Sequence, residues 1–335
     1  MDIMKKIILA YCFLFVQYVS FGQDPHFSQF FASPLTLNPA FTGKFDGKVR
    51  VMGNYRNQWP TINNAFITST AAVDFHVNEN KIASNDTWGL GFMMFNDKSA
   101  AGAVNFNYAT LSTAYHKGLD EDGIHQLGVG FQLTQASMII NPSELKFEDQ
   151  LTANGFTGNT NERFDNTTLS AKYWDVSAGL LYSGSSNEYN NFYAGVSLYH
   201  LNKPRLGTTG YALNTRTSLH AGGSFDFNNT TTLHMSGLYS TQAGASETVL
   251  GGTVQLIATP DNPKPTSVYV GTWYRINDAF IPYVGLEYTD FRVGITYDVN
   301  SSSLKTASQR QGGLEVSLIY AFRPSTNKPV RCPKF

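Results

Sequence analysis

The chain has 335 residues, enough for one large all-β domain or two ordinary ones. Charged residues make up 15%, well below the roughly 25% of a typical soluble protein, while aromatics reach 14%. A formal net charge of -1 supplies no global field to draw nucleic acid, and beyond residue 22 no apolar run approaches the roughly 18 residues of a transmembrane helix.

At the start, MDIMKKIILAYCFLFVQYVSFG sets Lys5 and Lys6 before an apolar run from Ile7 to Val19, followed by the small residues Ser20 and Gly22. This order predicts a secretory signal peptide over 1–22, cleaved near Gln23; a buried first strand or helix would not need it. Cys12 lies within the run and follows Tyr11, which argues against a lipoprotein site. Once the leader is removed, Cys332 remains as the single cysteine, so no internal disulfide can form. Residues 23–46, QDPHFSQFFASPLTLNPAFTGKFD, are too aromatic for a disordered leader.

From 47 onward the chain alternates. Strands are expected near 47–57, 65–77, 88–96, 104–116, 124–136, 174–184, 191–201, 214–226, 231–241, 247–257, 267–275, 279–288, 291–299 and 313–322. Leu127, Val129, Phe131 and Leu133 oppose Gln126, Gly128, Gly130 and Gln132. In YVGLEYTDFRVGITYD, Val284, Leu286 and Tyr288 share one face, as do Val293, Ile295 and Tyr297 after a tight turn. The registers of 104–116 and 247–257 are blurred. An even count of about fourteen strands, many near the ten residues of a tilted bilayer crossing, predicts a transmembrane antiparallel up-and-down β-barrel. Glycines on the polar face are expected to relieve crowding as the sheet coils. Tyr288 and Tyr297 are expected in two aromatic girdles. The long connections 137–173, 202–213 and 300–312 are odd-numbered, and the tight ones at 228–230 and 289–290 are even-numbered. Long loops therefore face outward and both termini the periplasm, though the second and tenth connections blur the parity. The expected organisation is a signal peptide at 1–22, a plug or periplasmic segment at 23–46 lying inside or against the barrel, the barrel at 47–322 and a periplasmic tail at 323–335.

Little in the sequence points to catalysis. The seven histidines show no metal-ligand spacing, and there is no Walker loop and no G-x-S-x-G. Gly89-x-Gly91 and Gly128-x-Gly130 sit in strands with no helix following, unlike a dinucleotide fingerprint. Asp120, Glu121 and Asp122 read as a solvated turn rather than a cation site. His200, His220 and His234 lie at or near strands, where an outer-membrane hydrolase would pair one with a serine; polar residues of a barrel interior give the same pattern. No cofactor and no metal are expected.

Four blocks carry a resemblance: Asp24-Pro25-x-Phe27-Ser28-Gln29-Phe30; Pro34-Leu35-x-Leu37-Asn38-Pro39-Ala40-x-Thr42-Gly43; Tyr55-Arg56-Asn57-Gln58-Trp59; and Arg331-Cys332-Pro333-Lys334-Phe335. In this order they resemble the PorP/SprF family of type IX secretion system membrane proteins. The resemblance implies a non-enzymatic outer-membrane barrel of Bacteroidota. It would work with the secretion and gliding machinery and help a large surface protein or adhesin with a C-terminal sorting domain to reach and hold the surface. Its partners would be that protein, other secretion components and outer-membrane lipid. Asn38, Pro39, Tyr55, Arg56, Gln58, Trp59 and Cys332 are then the candidate partner-binding residues. Read locally, Asn38-Pro39 is a turn, Trp59 a girdle residue, Arg56 a lumen residue and Cys332 an idle or intermolecular thiol. A diffusion porin is the competing function for such a barrel.

Overall fold

The computed structural model describes residues 23–323, apart from 63–64, 79–80, 162–168, 188–189, 208–210 and 261–263. The expected signal peptide and Cys332 lie outside the described residues.

The first half of the sheet comprises β1 (Val49–Gln58), β2 (Phe66–His76), β3 (Thr87–Ser99), β4 (Val104–Gly118) and β5 (Gln126–Ile140). After a two-residue hairpin, β6 (Leu151–Thr152) and β7 (Gly155–Phe156), come β8 (Leu169–Ser185) and β9 (Asn191–Tyr199). A second small hairpin, β10 (Arg205–Leu206) and β11 (Tyr211–Ala212), precedes β12 (Arg216–Asn228), β13 (Thr231–Gln242) and β14 (Ala245–Ile257). β15 (Ser267–Arg275), β16 (Ala279–Tyr288), β17 (Phe291–Asn300) and β18 (Gln311–Phe322) complete the chain. Leaving out the two hairpins, the remaining fourteen strands form one closed antiparallel barrel. The seam joins β1 to β18, from Val49 opposite Phe322 to Gln58 opposite Gly313.

Closure follows from the alternation. Val284, Leu286, Val293, Ile295, Leu314 and Leu318 all point outward and are exposed, Val284 at 58%. Such a surface is untenable in water but is the expected one against hydrocarbon, where a closed ladder also leaves no backbone group unpaired. Tyr288 and Tyr297 are exposed on the same face, toward opposite ends of neighbouring strands. Among the described residues no helix is long and apolar enough to cross a membrane; strands make the crossing.

The two ends differ. At one, here the terminal end, the seam starts and ends at Val49 and Phe322, and turns at 229–230 and 289–290 are tight. The long connections 141–168, 200–215 and 301–310 emerge at the other, the loop end. Two connections there are short as well, 243–244 and 276–278. The loop expected over 137–173 is shorter than predicted, because β5 and β8 stay paired up to Ile140 and Leu169. Their outward positions change from Phe131, Leu133 and Val176 to Gln135, Ser137 and Lys172. The strands outrun the apolar band, and the hydrophobic period stops before the hydrogen bonds do.

Candidate functional site

Residues 23–46 run along the lumen as a plug, from Asp24 at the loop end to Asp46 at the terminal end. The plug holds one α-helical turn, Pro34–Leu37, flanked by 3-10 turns at Phe30–Ala32 and Pro39–Phe41. Proline at the head of each of the last two costs no hydrogen bond, since first-turn N–H groups have no helical partner. Leu35, Ala40 and Phe41 are essentially inaccessible. Phe31 stacks on Trp273 of β15 at 4.4 Å and meets Tyr283 of β16 edge-on at 5.4 Å. Phe41 meets Tyr193 edge-on at 5.8 Å.

Polar contacts fix the plug at three levels. Near the loop end, Glu315 of β18 accepts the backbone N–H groups of Ser28 at 2.7 Å and Gln29 at 2.9 Å. Asp298 of β17 accepts from Ser28 Oγ at 2.8 Å and pairs with Arg56 at 3.0 Å and Arg275 at 3.1 Å. Arg56 also donates to the carbonyl of His26. Midway, Asn38 donates through Nδ2 to the carbonyls of Leu180 at 3.0 Å and Val196 at 3.2 Å, and its Oδ1 accepts the N–H of Ala40 at 2.8 Å. Near the terminal end, Arg50 makes a two-pronged pair with Asp74 at 2.7 and 3.0 Å, and Asp74 accepts the N–H of Gly43 at 2.8 Å. Charges buried this deeply are tolerable only when paired and hydrogen-bonded, as these are.

Some of the glycines acquire a reason beyond the one expected. A Cβ at Gly130 would lie 2.3 Å from Ala40 N, and one at Gly179 would lie 1.8 Å from Asn38 Oδ1. Gly89 faces the Thr42–Gly43 backbone in the same way. These glycines let the plug lie directly on the wall. At Gly195 the space is taken by His220 of the neighbouring strand, and at Gly285 by Tyr283 of the same strand.

At the loop end the first plug residues enter a charged cluster. Asp24 lies 2.8 Å from His200 Nε2 and 3.5 Å from Arg216 Nε, and exchanges two hydrogen bonds with Gln242. Burial works against the Asp24 carboxylate, but Arg216, His200 and Gln242 together hold its carboxyl well below the usual range. Burial also opposes charge on His200; its bonds to Asp175 and Asp24 override this and push it up to about 9. His26 is pushed down to about 4 by burial, against the pull of Glu247 at 3.1 Å.

Among the residues expected to meet a partner, Asn38, Pro39 and Arg56 are buried, and they bind plug to wall within this chain; Arg56 is 1% exposed. Tyr55 projects from the outer face. Gln58 ends β1 at the loop end, and Trp59 follows it with φ 53°, its N–H on Gly312 O at 2.9 Å and its ring edge-on to Phe66. Sequence reasoning passed over Asp74, Asp175, Arg275, Asp298 and Glu315. Each is an ionisable residue on the inward face of a strand, and the period-two alternation alone places it in the lumen. His234 of β13 does sit beside a serine, 2.8 Å from Ser224 Oγ, but its other ring nitrogen meets Gln255 Oε1 at 2.9 Å. A neutral amide does not stabilise an imidazolium as a triad carboxylate would, and all three side chains are closed off from solvent. Among the described residues no group of three or more His, Cys, Asp or Glu could hold a metal. Asp120 accepts the N–H of His125 across a turn.

A closed fourteen-stranded barrel with an apolar outer face and a charged, plugged lumen is an outer-membrane barrel. Residues 19–320 match the family model for type IX secretion system membrane protein PorP/SprF. The chain belongs to the PorP/SprF family. Its fold is similar to a FadL homologue of Pseudomonas aeruginosa, at 10% identity over 85% of this chain and 93% of that one, with a TM-score of 0.48. It is also similar to the Ralstonia pickettii toluene transporter TbuX, at 10% identity over 87% and 94% of the two chains, with a TM-score of 0.49. No functionally curated protein matches.

Proposed function

We propose that this barrel is a non-enzymatic anchor and escort for a large secreted surface protein, an adhesin with a C-terminal sorting domain, within the type IX secretion and gliding machinery of a Bacteroidota cell. The observation that carries the reading is the plug. Held at three levels and buried along its length, it closes the lumen to a passing polypeptide. A partner therefore engages an end of the barrel. The loop end, facing out, offers segment 141–161 with its β6–β7 hairpin, and the rim residues Gln58 and Trp59. The terminal end, facing the periplasm after cleavage near Gln23, offers the tail with Cys332 to other secretion components. Tyr55 faces lipid.

Two measurements test this together. Deleting the gene should leave general secretion intact but strip one or a few adhesins from the surface proteome; an unchanged surface proteome refutes the anchor. Purified protein in planar bilayers should show no steady open channel; sustained conductance would favour a diffusion porin instead.

A further inference from the structure

On the outer face, four neighbouring strands carry their pairing past the apolar band, and the change falls at one row. Phe92, Leu111, Leu133 and Val176 lie side by side across β3, β4, β5 and β8 and face lipid. Two residues nearer the loop end on β8 stands Trp174, 57% exposed, at the height where an aromatic girdle marks the edge of the hydrocarbon. The next row toward the loop end is Asn96, Asn107, Ser137 and Lys172, and the one after it brings Lys98 and Asn105 together. These rows stand at the height of the lipid headgroups.

Their side chains are set as donors. Asn96 Nδ2 donates to Asn105 Oδ1 at 2.7 Å and to Asn107 Oδ1 at 2.8 Å. Both acceptors are thus turned toward Asn96, and both NH2 groups are turned away from it. Lys98 and Lys172 are exposed and form no ion pair among the described residues. The only carboxylates of these four strands, Asp97 and Asp175, are buried on the lumen side.

Cations and unspent amide donors, with no opposing charge, complement an anionic headgroup. The face continues the lipid-facing wall without a break, so what covers it is what the lipid carries at that height. With the loop end outward, that lipid belongs to the outer leaflet, whose headgroups are phosphorylated sugars. Lys98 and Lys172 lie about 15 Å apart, from three strand spacings and a two-residue offset. That is too far for a single phosphate and suits two phosphates carried on one sugar core. We propose that the outer face of β3, β4, β5 and β8 binds the headgroup of a phosphorylated glycolipid, its phosphates held by Lys98 and Lys172 and the sugar oxygens between them by the amides of Asn105 and Asn107. The site rests on the outward orientation of the loop end in the reading above, and not on the anchoring role.

The test titrates the folded full chain in detergent with lipid A, a disaccharide lipid bearing a phosphate at each end, with its dephosphorylated form and with phosphatidylglycerol. Bound lipid is counted by native mass spectrometry. Lipid A should bind at least about tenfold more tightly than either of the others, the loss expected for one hydrogen bond to a charged group. Lys98→Gln/Lys172→Gln should weaken lipid A at least about tenfold. Lys48→Gln/Lys81→Gln removes the same charge from exposed positions at the terminal end and should cost less than about twofold. Asn107→Asp keeps the oxygen that Asn96 bonds and replaces the outward NH2 by an anionic oxygen; it should again cost at least about tenfold. Every substituted side chain faces outward, and heat-modifiable migration checks that each barrel folds. Orientation has its own measurement: in intact cells a membrane-impermeant maleimide should label Asn154→Cys, in the exposed β6–β7 turn, above the unsubstituted chain. No labelling would put the face in the inner leaflet and overturn the proposal. Equal affinity for lipid A and phosphatidylglycerol overturns it as well, as does full affinity in Lys98→Gln/Lys172→Gln. Full affinity there, with adhesin lost from cells carrying that variant, would assign the face to the secreted polypeptide instead.

Discussion

The glycines under the plug allow the plug to be perturbed without harming the wall. In Gly130→Ala the new methyl would sit 2.3 Å from Ala40 N and 2.4 Å from Pro39 C, where ordinary contact begins near 3.4 Å. The obstruction is backbone, so the plug must lift by about 1 Å at this level. Overpacking of this kind costs about 1–3 kcal/mol. Lifting also breaks the two hydrogen bonds from Asn38 to the wall carbonyls of Leu180 and Val196, worth about 1 kcal/mol each. A plug loosened by about 3 kcal/mol exchanges its amides on the order of 100-fold faster. The barrel itself should lose nothing, because alanine in a strand is less costly than glycine. Hydrogen exchange read by mass spectrometry on peptides within 27–45 measures this, with strand peptides as the internal reference. Gly53→Ala is the control, since its nearest neighbour, Thr70 O, would be 3.8 Å away. Equal plug exchange in Gly130→Ala and Gly53→Ala would show that wall glycines do not serve the plug, and the reasoning fails.

Three further outcomes are expected. His200, raised from 6.5 to about 9, supports Asp24 fully below about pH 6.5 and loses that support as pH rises through 9. Exchange at 24–27, corrected for intrinsic base catalysis, should therefore rise across that window in the wild type and stay flat in His200→Gln. Arg56→Met removes one of the two cations on Asp298 and frees the carbonyl of His26; because Arg275 stays at 3.1 Å, the cost is below the about 3–5 kcal/mol of a fully orphaned buried charge. Exchange at 24–29 should reach the free-peptide rate, and added Asp298→Asn should restore part of the protection. Deletion of residues 23–46 should convert a silent barrel into a conducting one in planar bilayers; a silent deletion variant would mean that something else closes the lumen.

The barrel could be read from the sequence because lipid imposes a period-two pattern that no turn or loop imitates. YVGLEYTDFRVGITYD became the β16–β17 hairpin, with Val284, Leu286, Val293 and Ile295 outward. The pattern failed where lipid stops. β8 continues to Leu169 with Ser170 and Lys172 outward, and hydrogen bonding alone carries no periodicity in hydrophobicity. The plug was half legible: its phenylalanines exclude disorder, but nothing local shows that Asn38 spans to Leu180 and Val196. The glycines were seen, but the share of them that serves the plug was not, because Gly130 and Gly179 answer to a segment far away in sequence. Arg56, Asp298 and Glu315 form one cluster from three strands that only closure brings together.

The plug is continuous with β1, and β1 forms the seam with β18. Asp24 is moored at the far mouth, among His200, Arg216 and Gln242. From Asp24 the chain thus runs the whole height of the cylinder before folding back into its own first stave. Zipping the last ladder around a segment already in position would avoid drawing Asp24, His26 and Lys44 through a finished, crowded bore. Closure and occlusion would then be a single event, with no stage at which the bore stands open.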